Sequence, residues 1–130
     1  MNRFSTPAIN PPMPSSPKPE TLSRLVIPLG DPAGIGPEVV INALGNSALR
    51  AAAQITLVGD QALLKASLNQ LDRAGSDGID LSQLTLLSTD STIAGLADVV
   101  PGKPSLVSGQ ASFAWRNRAI AGAFACEFDA

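Results

Sequence analysis

The segment Gly30-Asp31-Pro32-Ala33-Gly34-Ile35-Gly36-Pro37-Glu38 holds the residue types and spacing in this chain best suited to chemistry. Glycine lets a backbone come close to a ligand or adopt a positive φ. Gly34 and Gly36 are therefore candidates for close backbone approach to a bound molecule. Ile35 between them offers an apolar contact, and Asp31 offers a polar contact or a means of closing the turn. The segment joins the end of an apolar run to the start of a helical pattern, which is where open α/β sheets bind ligands. Asp31, Gly34, Ile35 and Gly36 are accordingly the candidate ligand-binding residues. No side chain can be named as a catalytic acid, a catalytic base, a hydride-transfer residue or a metal ligand.

The absence of histidine from all 130 residues restricts the chemistry further. Histidine is the commonest general base and the commonest metal ligand near neutral pH. Asp, Glu and Lys can still serve, but the simplest metal sites and catalytic triads are removed.

Two phosphate-binding patterns lie close to these residues. A dinucleotide fingerprint needs Gly-x-Gly-x-x-Gly or Ala after a strand. Gly34-Ile35-Gly36 begins it, but Val39 stands where a small residue should pack, and Glu38 puts negative charge beside a pyrophosphate. Asp60 after the second apolar run could imitate the ribose-binding acid. A phosphate loop around Gly102-Lys103-Pro104-Ser105 fails, because Ala97 replaces the required glycine and Pro104 replaces the hydroxyl residue. A tight turn with no ligand contact is the remaining reading.

The elements that must position the loop can be read along the chain. Residues 1–22 form a tail in which Pro7, Pro11, Pro12, Pro14, Pro17 and Pro19 stop helix and sheet from propagating. This tail has no apolar core of a secretory signal and no Arg-rich amphipathic pattern. Residues 23–130 form the α/β part. Leu25-Val26-Ile27-Pro28-Leu29 predicts a buried strand, with Pro28 implying an edge or a bulge. Pro37 suits the first position of a helix, with Glu38 in its first turn. Val40, Ala43, Leu44, Ser47 and Ala48 continue that helix at its period. Gln54–Val58 predicts a second strand, residues 61–73 a second helix broken by Gly75, Asp77 and Gly78, and Leu84–Leu87 a third strand. A loop covers residues 88–107. Ser108 is expected to cap a last helix from about Gly109 to Cys126. That helix has one stripe of Phe113, Ile120 and Phe124 and another of Trp115, Ala119 and Cys126, so both sides require cover. Cys126 is expected to pack. Alternating strands and helices predict an α/β sandwich with a mostly parallel sheet. Three short parallel strands are too few to cover themselves. The last residues, Glu127 to Ala130, begin a new element, so the chain is expected to be truncated.

Composition excludes several function classes. A formal net charge of −2 gives no basic field for nucleic acid or an anionic membrane. No apolar run approaches the roughly 20 residues of a membrane helix. The single cysteine rules out an internal disulfide and fits a reducing compartment.

The stretch from Leu29 to Glu38 resembles the N-terminal loop of the 4-hydroxythreonine-4-phosphate dehydrogenase (PdxA) family. It is similar, more distantly, to the Gly-Asp-Gly-Ile-Gly-Pro-Glu loop of isocitrate and isopropylmalate dehydrogenases. Leu57-Val58-Gly59-Asp60-Gln61-Ala62-Leu63-Leu64, and Pro101–Ser105 running into Ser108-Gly109-Gln110-Ala111, match the family in order. The resemblance extends over about residues 24–130 and implies the N-terminal part of an isocitrate/isopropylmalate dehydrogenase-like α/β/α sandwich, incomplete here. It implies NAD(P)⁺-dependent oxidation of 4-phosphooxy-L-threonine. Decarboxylation to 3-amino-2-oxopropyl phosphate follows, on the route to pyridoxine 5′-phosphate. It also implies a cytoplasmic homodimer, a small phosphorylated substrate, NAD or NADP with Asp31, Gly34, Ile35 and Gly36 as the cofactor-binding residues, and a divalent metal held by histidines that acts as a Lewis acid. Those histidines and the phosphate-binding Lys and Arg of the family have no counterpart in this sequence, so this chain alone is expected to be inactive. A related dehydrogenase of another phosphorylated hydroxy acid or of a cis-dihydrodiol shares the same motifs. A non-catalytic nucleotide-binding or dimer-interfering module is the reading from a different class.

Overall fold

The computed structural model describes residues 21–71, 79–80, 83–89 and 92–130. The expected tail lies outside these residues up to position 20, and so does the helix break at Gly75, Asp77 and Gly78. Among the described residues, three strands form a parallel sheet in the order β1 (Ser23–Pro28), β2 (Ala53–Val58), β3 (Thr85–Leu87). The β-branched run Val26-Ile27 and its partners Thr56 and Leu57 suit a pleated surface covered on both sides. Leu29, Leu57 and Val58 are fully buried. Pro28 ends β1, which has a sheet neighbour only in β2, as a proline within a strand requires.

Helices α1 (Gly36–Leu44), α2 (Ser47–Ala52), α3 (Gln61–Gln70) and α4 (Leu106–Phe124) complete the described elements, with one 3-10 turn at Leu96–Asp98. Ile41 and Leu44 of α1 and Leu64 and Leu68 of α3 face the core, where α1 and α3 pack on each other. α4 lies across β1 and β2 and buries Ala111, Trp115 and Ala119. From β1 to β3 the chain steps one way across the sheet; through α4 it returns past β1. Parallel crossovers are right-handed, so these opposite directions put α4 on the opposite face from α1 and α3.

Several boundaries differ from those read in the sequence. The expected first helix is two: Gly45 ends α1, and the Asn46 side chain accepts the Ala48 N–H at 2.9 Å to start α2. The predicted run of Val40 to Ala48 failed because Ser47 and Ala48 keep the helical period by chance across that break. Pro37 is the second residue of α1. The cap of α4 is Ser105, not Ser108. Ser105 is extended and its hydroxyl accepts the Ser108 N–H at 3.1 Å, while the Ser108 hydroxyl meets the Ser105 N–H at 2.9 Å. Ser108 is thus the third helical residue of a reciprocal box, with serine in place of the usual Glu or Gln.

Cys126 is exposed and lies beyond α4, contrary to the packing role expected of it. Its φ is 59°, and it occupies the left-handed position after the helix. The Cys126 N–H donates to the Ala123 carbonyl at 3.1 Å and the Glu127 N–H to the Gly122 carbonyl at 2.9 Å. That pair of bonds is a Schellman turn. The turn folds Phe128 onto Gly122, where a Cβ would strike the ring. The chain then returns to β1. Asp129 N–H donates to the Arg24 carbonyl at 2.8 Å, and Val26 N–H donates to the Ala130 carbonyl at 2.8 Å. The Asp129 carboxylate takes the Arg24 N–H at 2.7 Å and its guanidinium at 2.9 Å. Arg24 holds the Asp129 carboxyl below its ordinary range, first through the guanidinium hydrogen bond and then through the backbone one.

Three outcomes follow from this packing. A Cβ on Gly36 would meet the Leu29 carbonyl, whereas one on Gly34 reaches only ordinary contact distances. Gly36→Ala should therefore cost about 1–3 kcal/mol in urea unfolding, well above the cost of Gly34→Ala. Cys126→Gly should raise stability by about 1 kcal/mol in the same measurement, since it removes the left-handed strain. Because the Asp129 pKa is lowered on folding, its tie to Arg24 is complete above the ordinary carboxylate range and is lost as the pH falls through the lowered value. Amide exchange at Val26, compared with Asp129→Asn at each pH, should show protection that converges with the variant in acid.

Candidate functional site

The Gly30–Glu38 loop sits at the C-terminal ends of the parallel strands, as its sequence position predicted. Leu29 extends the ladder by donating its N–H to the Val58 carbonyl at 2.9 Å. Gly30 then turns the chain at φ 81°, a conformation that favours glycine. The Asp31 carboxylate accepts the Ala33 N–H at 2.8 Å, and the Asp31 carbonyl accepts the Gly34 N–H at 2.9 Å. Asp31 therefore closes the turn with its own side chain, as aspartate does in such bends. The glycine at 36 lets the start of α1 settle directly on the Leu29 carbonyl.

These contacts leave Gly34 exposed and Ile35 71% exposed at the tip of the loop. Ile35 is the N-cap residue of α1 and makes no side-chain capping hydrogen bond to the first N–H groups of the helix. Glu38 lies in the first turn of α1.

A cleft of about 1180 Å³ opens beside the loop, bounded by Ile35, Leu63 of α3, Thr92, Leu96 and Trp115 of α4. Among the described residues its lining contains the carboxylates of Glu38 and Asp60 and no Lys or Arg. The Asp60 carboxylate caps α3 by accepting the Leu63 N–H at 2.8 Å. The acid that could have imitated a ribose ligand is thus engaged by a helix. The cleft suits an apolar or neutral hydrogen-bonding group near Ile35, with the helix end as its source of positive potential.

The loop after β3 contributes more than its sequence suggested. Gly102, at φ 80°, donates its N–H to the Ala33 carbonyl at 2.7 Å and so fastens this segment to the candidate site. The Pro101-Gly102 pair was the available signal, but it marks a turn without naming what the turn touches. Trp115 belongs to the site wall as well as to the core, which helical periodicity could not distinguish.

A second cleft of about 970 Å³ lies at the opposite ends of the strands, near Arg24, Arg50 and Asp129. Its arginines are engaged, Arg50 by the Leu44 carbonyl and Arg24 by Asp129. Among the described residues no group of three or more His, Cys, Asp or Glu side chains could hold a metal ion. The residues present do not fit the histidine-bound metal that the family resemblance implies.

No protein-family model matches the chain. A 4-hydroxythreonine-4-phosphate dehydrogenase of Synechocystis is 41% identical over 113 residues, covering 85% of this chain and 32% of that protein. One from Synechococcus strain JA-3-3Ab is 39% identical over 108 residues, covering 82% of this chain and 31% of its own length. The chain thus spans about a third of the curated relatives it matches. The crystal structure of a 4-hydroxythreonine-4-phosphate dehydrogenase from Burkholderia phymatum shares the fold with a TM-score of 0.67 at 23% identity, over 83% of this chain and 34% of that one. The enzyme from Klebsiella pneumoniae does so with a TM-score of 0.64 at 24% identity, over 85% and 36%. Sequence and fold agree, and they make this chain a partial homologue of the 4-hydroxythreonine-4-phosphate dehydrogenases, equivalent to about a third of such a protein.

Proposed function

We propose that this chain provides the cofactor-side wall of an NAD(P)-dependent dehydrogenase acting on 4-phosphooxy-L-threonine in the formation of pyridoxine 5′-phosphate. The observation that carries the reading is the exposed Gly34-Ile35 tip, set over an uncapped helix end at the C-terminal margin of a parallel sheet. The dehydrogenase names of the curated relatives support the activity and substrate class.

Bound NAD or NADP would supply the hydride acceptor. Ile35 offers its apolar surface to the cofactor. Gly34 admits the cofactor close to the backbone, because no side chain stands there. The first N–H groups of α1 favour a negatively charged group beside them. Against this, Glu38 in that same first turn and Asp60 at the start of α3 set negative charge against a phosphate, so the contact left favourable is with the uncharged part of the cofactor. Asp31 and Gly36 act one step back, by fixing the turn and seating the helix. The alcohol oxidation itself needs an acid–base group and a metal that these residues do not provide. No catalytic step is assigned to them, and the 130 residues alone should produce no NADH. The working form is a cytoplasmic homodimer.

The test is an isotope-labelled titration of the chain with NAD⁺ and NADP⁺ in separate runs. Amide shifts should concentrate at Gly34, Ile35, Gly36 and Gly102, and Ile35→Glu should weaken binding at least tenfold. Shifts confined to the Arg24–Arg50 cleft, or none up to millimolar nucleotide, overturn the reading.

A further inference from the structure

The segment that reaches over to Ala33 is a β-turn. The Lys103 N–H donates back to the Val100 carbonyl at 3.1 Å, with Pro101 and Gly102 between them. Proline at the second position fixes φ at about −65°. Gly102 at the third position has φ 80°. Only a type II turn combines the two.

The turn type decides which way one peptide faces. Types I and II differ chiefly in the central peptide, here Pro101–Gly102, which is rotated by roughly half a turn between them. In the type II form the Gly102 N–H donates to the Ala33 carbonyl at 2.7 Å. A type I turn would point that N–H away and set the Pro101 carbonyl towards Ala33, two acceptors with no donor between them. Ala33 is 4% exposed, so water is a poor replacement for the lost partner.

Ala33 is the residue before the exposed tip. Its N–H goes to the Asp31 carboxylate at 2.8 Å, and the Gly34 N–H goes to the Asp31 carbonyl at 2.9 Å. Both bonds lie within the loop and would travel with it. The bond from Gly102 ties the loop to a separate segment. Crowding does not account for glycine at that position, because a Cβ there would meet nothing within 4 Å. Only the positive φ calls for it.

We infer that the Pro101-Gly102 turn sets the position of the ligand-contacting tip, with Gly102 as a positioning residue that acts on Gly34 and Ile35 through the Ala33 carbonyl. The turn borders the same cleft. The inference rests on the cofactor reading above for the identity of the ligand, and adds to it the residue that holds the contact in place.

Two variants of the intact chain separate positioning from crowding. Asn accepts a left-handed φ better than Ala, but its side chain is larger. Positioning makes Gly102→Ala the more damaging change; crowding makes it Gly102→Asn. All readings are taken where the three chains are fully folded, so lost stability alone moves none of them. A scalar coupling across the hydrogen bond from the Gly102 amide to the Ala33 carbonyl should appear in the native chain and with Gly102→Asn, and vanish with Gly102→Ala. The amide signals of Gly34 and Ile35 should move with Ala and stay near their native positions with Asn. The dissociation constant for NAD⁺ should rise at least fivefold with Ala and less than twofold with Asn. A native chain without the coupling overturns the inference. So do Gly34 and Ile35 signals that ignore Gly102→Ala, NAD⁺ binding that ignores it, or binding damaged more by Asn than by Ala. A native chain that binds no NAD⁺ overturns the cofactor reading alone, and the Gly34 and Ile35 signals then decide the positioning.

Discussion

Leu29 is the residue on which the rest of the structure turns. It is fully buried, its N–H continues the ladder to Val58, its carbonyl lies beneath Gly36, and its side chain lies against Gly59. Two glycines from different elements close over one leucine, and neither has room for a Cβ. This contact fixes where β1 stops, how near α1 comes to the sheet, and how β2 leaves it. Protein interiors tolerate little added volume, so such a seat leaves the helix few other positions. Because α1 is held so low on the strand, the residues before it must project, and Gly34 and Ile35 are left facing the cleft.

The two ends of the cleft wall obey different physical rules. The loop after β1 is held by its own short-range bonds through Asp31, so its shape is nearly a local property of the sequence. The loop after β3 is held by one long-range bond, from Gly102 to Ala33. That bond makes the candidate site a joint product of segments about seventy residues apart in the chain. Two of the acidic side chains there are already spent on structure, Asp31 on its turn and Asp60 on its helix, while Glu38 stays exposed in the first turn of α1. Among the described residues, positive potential at the site therefore comes from the backbone of α1 and not from side chains, in keeping with a lining that shows no Lys or Arg there.

Much of this was legible in the sequence, for identifiable reasons. Val26-Ile27 and Thr56-Leu57-Val58 announced strands because β-branched and apolar runs bounded by glycine have few alternatives. The Gly30–Glu38 bend was legible because proline, glycine and aspartate each restrict the backbone in known ways. The missed features share a different character. Gly45 and Asn46 divide a helix whose apolar period runs on unbroken. Ser105 and Ser108 are interchangeable as caps until the geometry of Pro104 and Ser105 is known. Cys126 takes a left-handed position that composition assigns to glycine or asparagine. The bond from Gly102 to Ala33 leaves no periodic trace at all. Local rules reached the elements; tertiary contacts decided where they ended and what they touched.

The Schellman turn after α4 has a bearing on solubility. By sending Phe128 back onto Gly122, it lays Asp129 and Ala130 along the outer margin of β1. That margin would otherwise present free amide and carbonyl groups to any extended peptide, which is how sheets recruit one another into aggregates. Pro28 removes one donor from the same strand, and the charged Arg24–Asp129 pair stands guard at its other end. A few residues past the final helix thus act as a hem on the sheet, keeping its most vulnerable border from fraying into unwanted assembly.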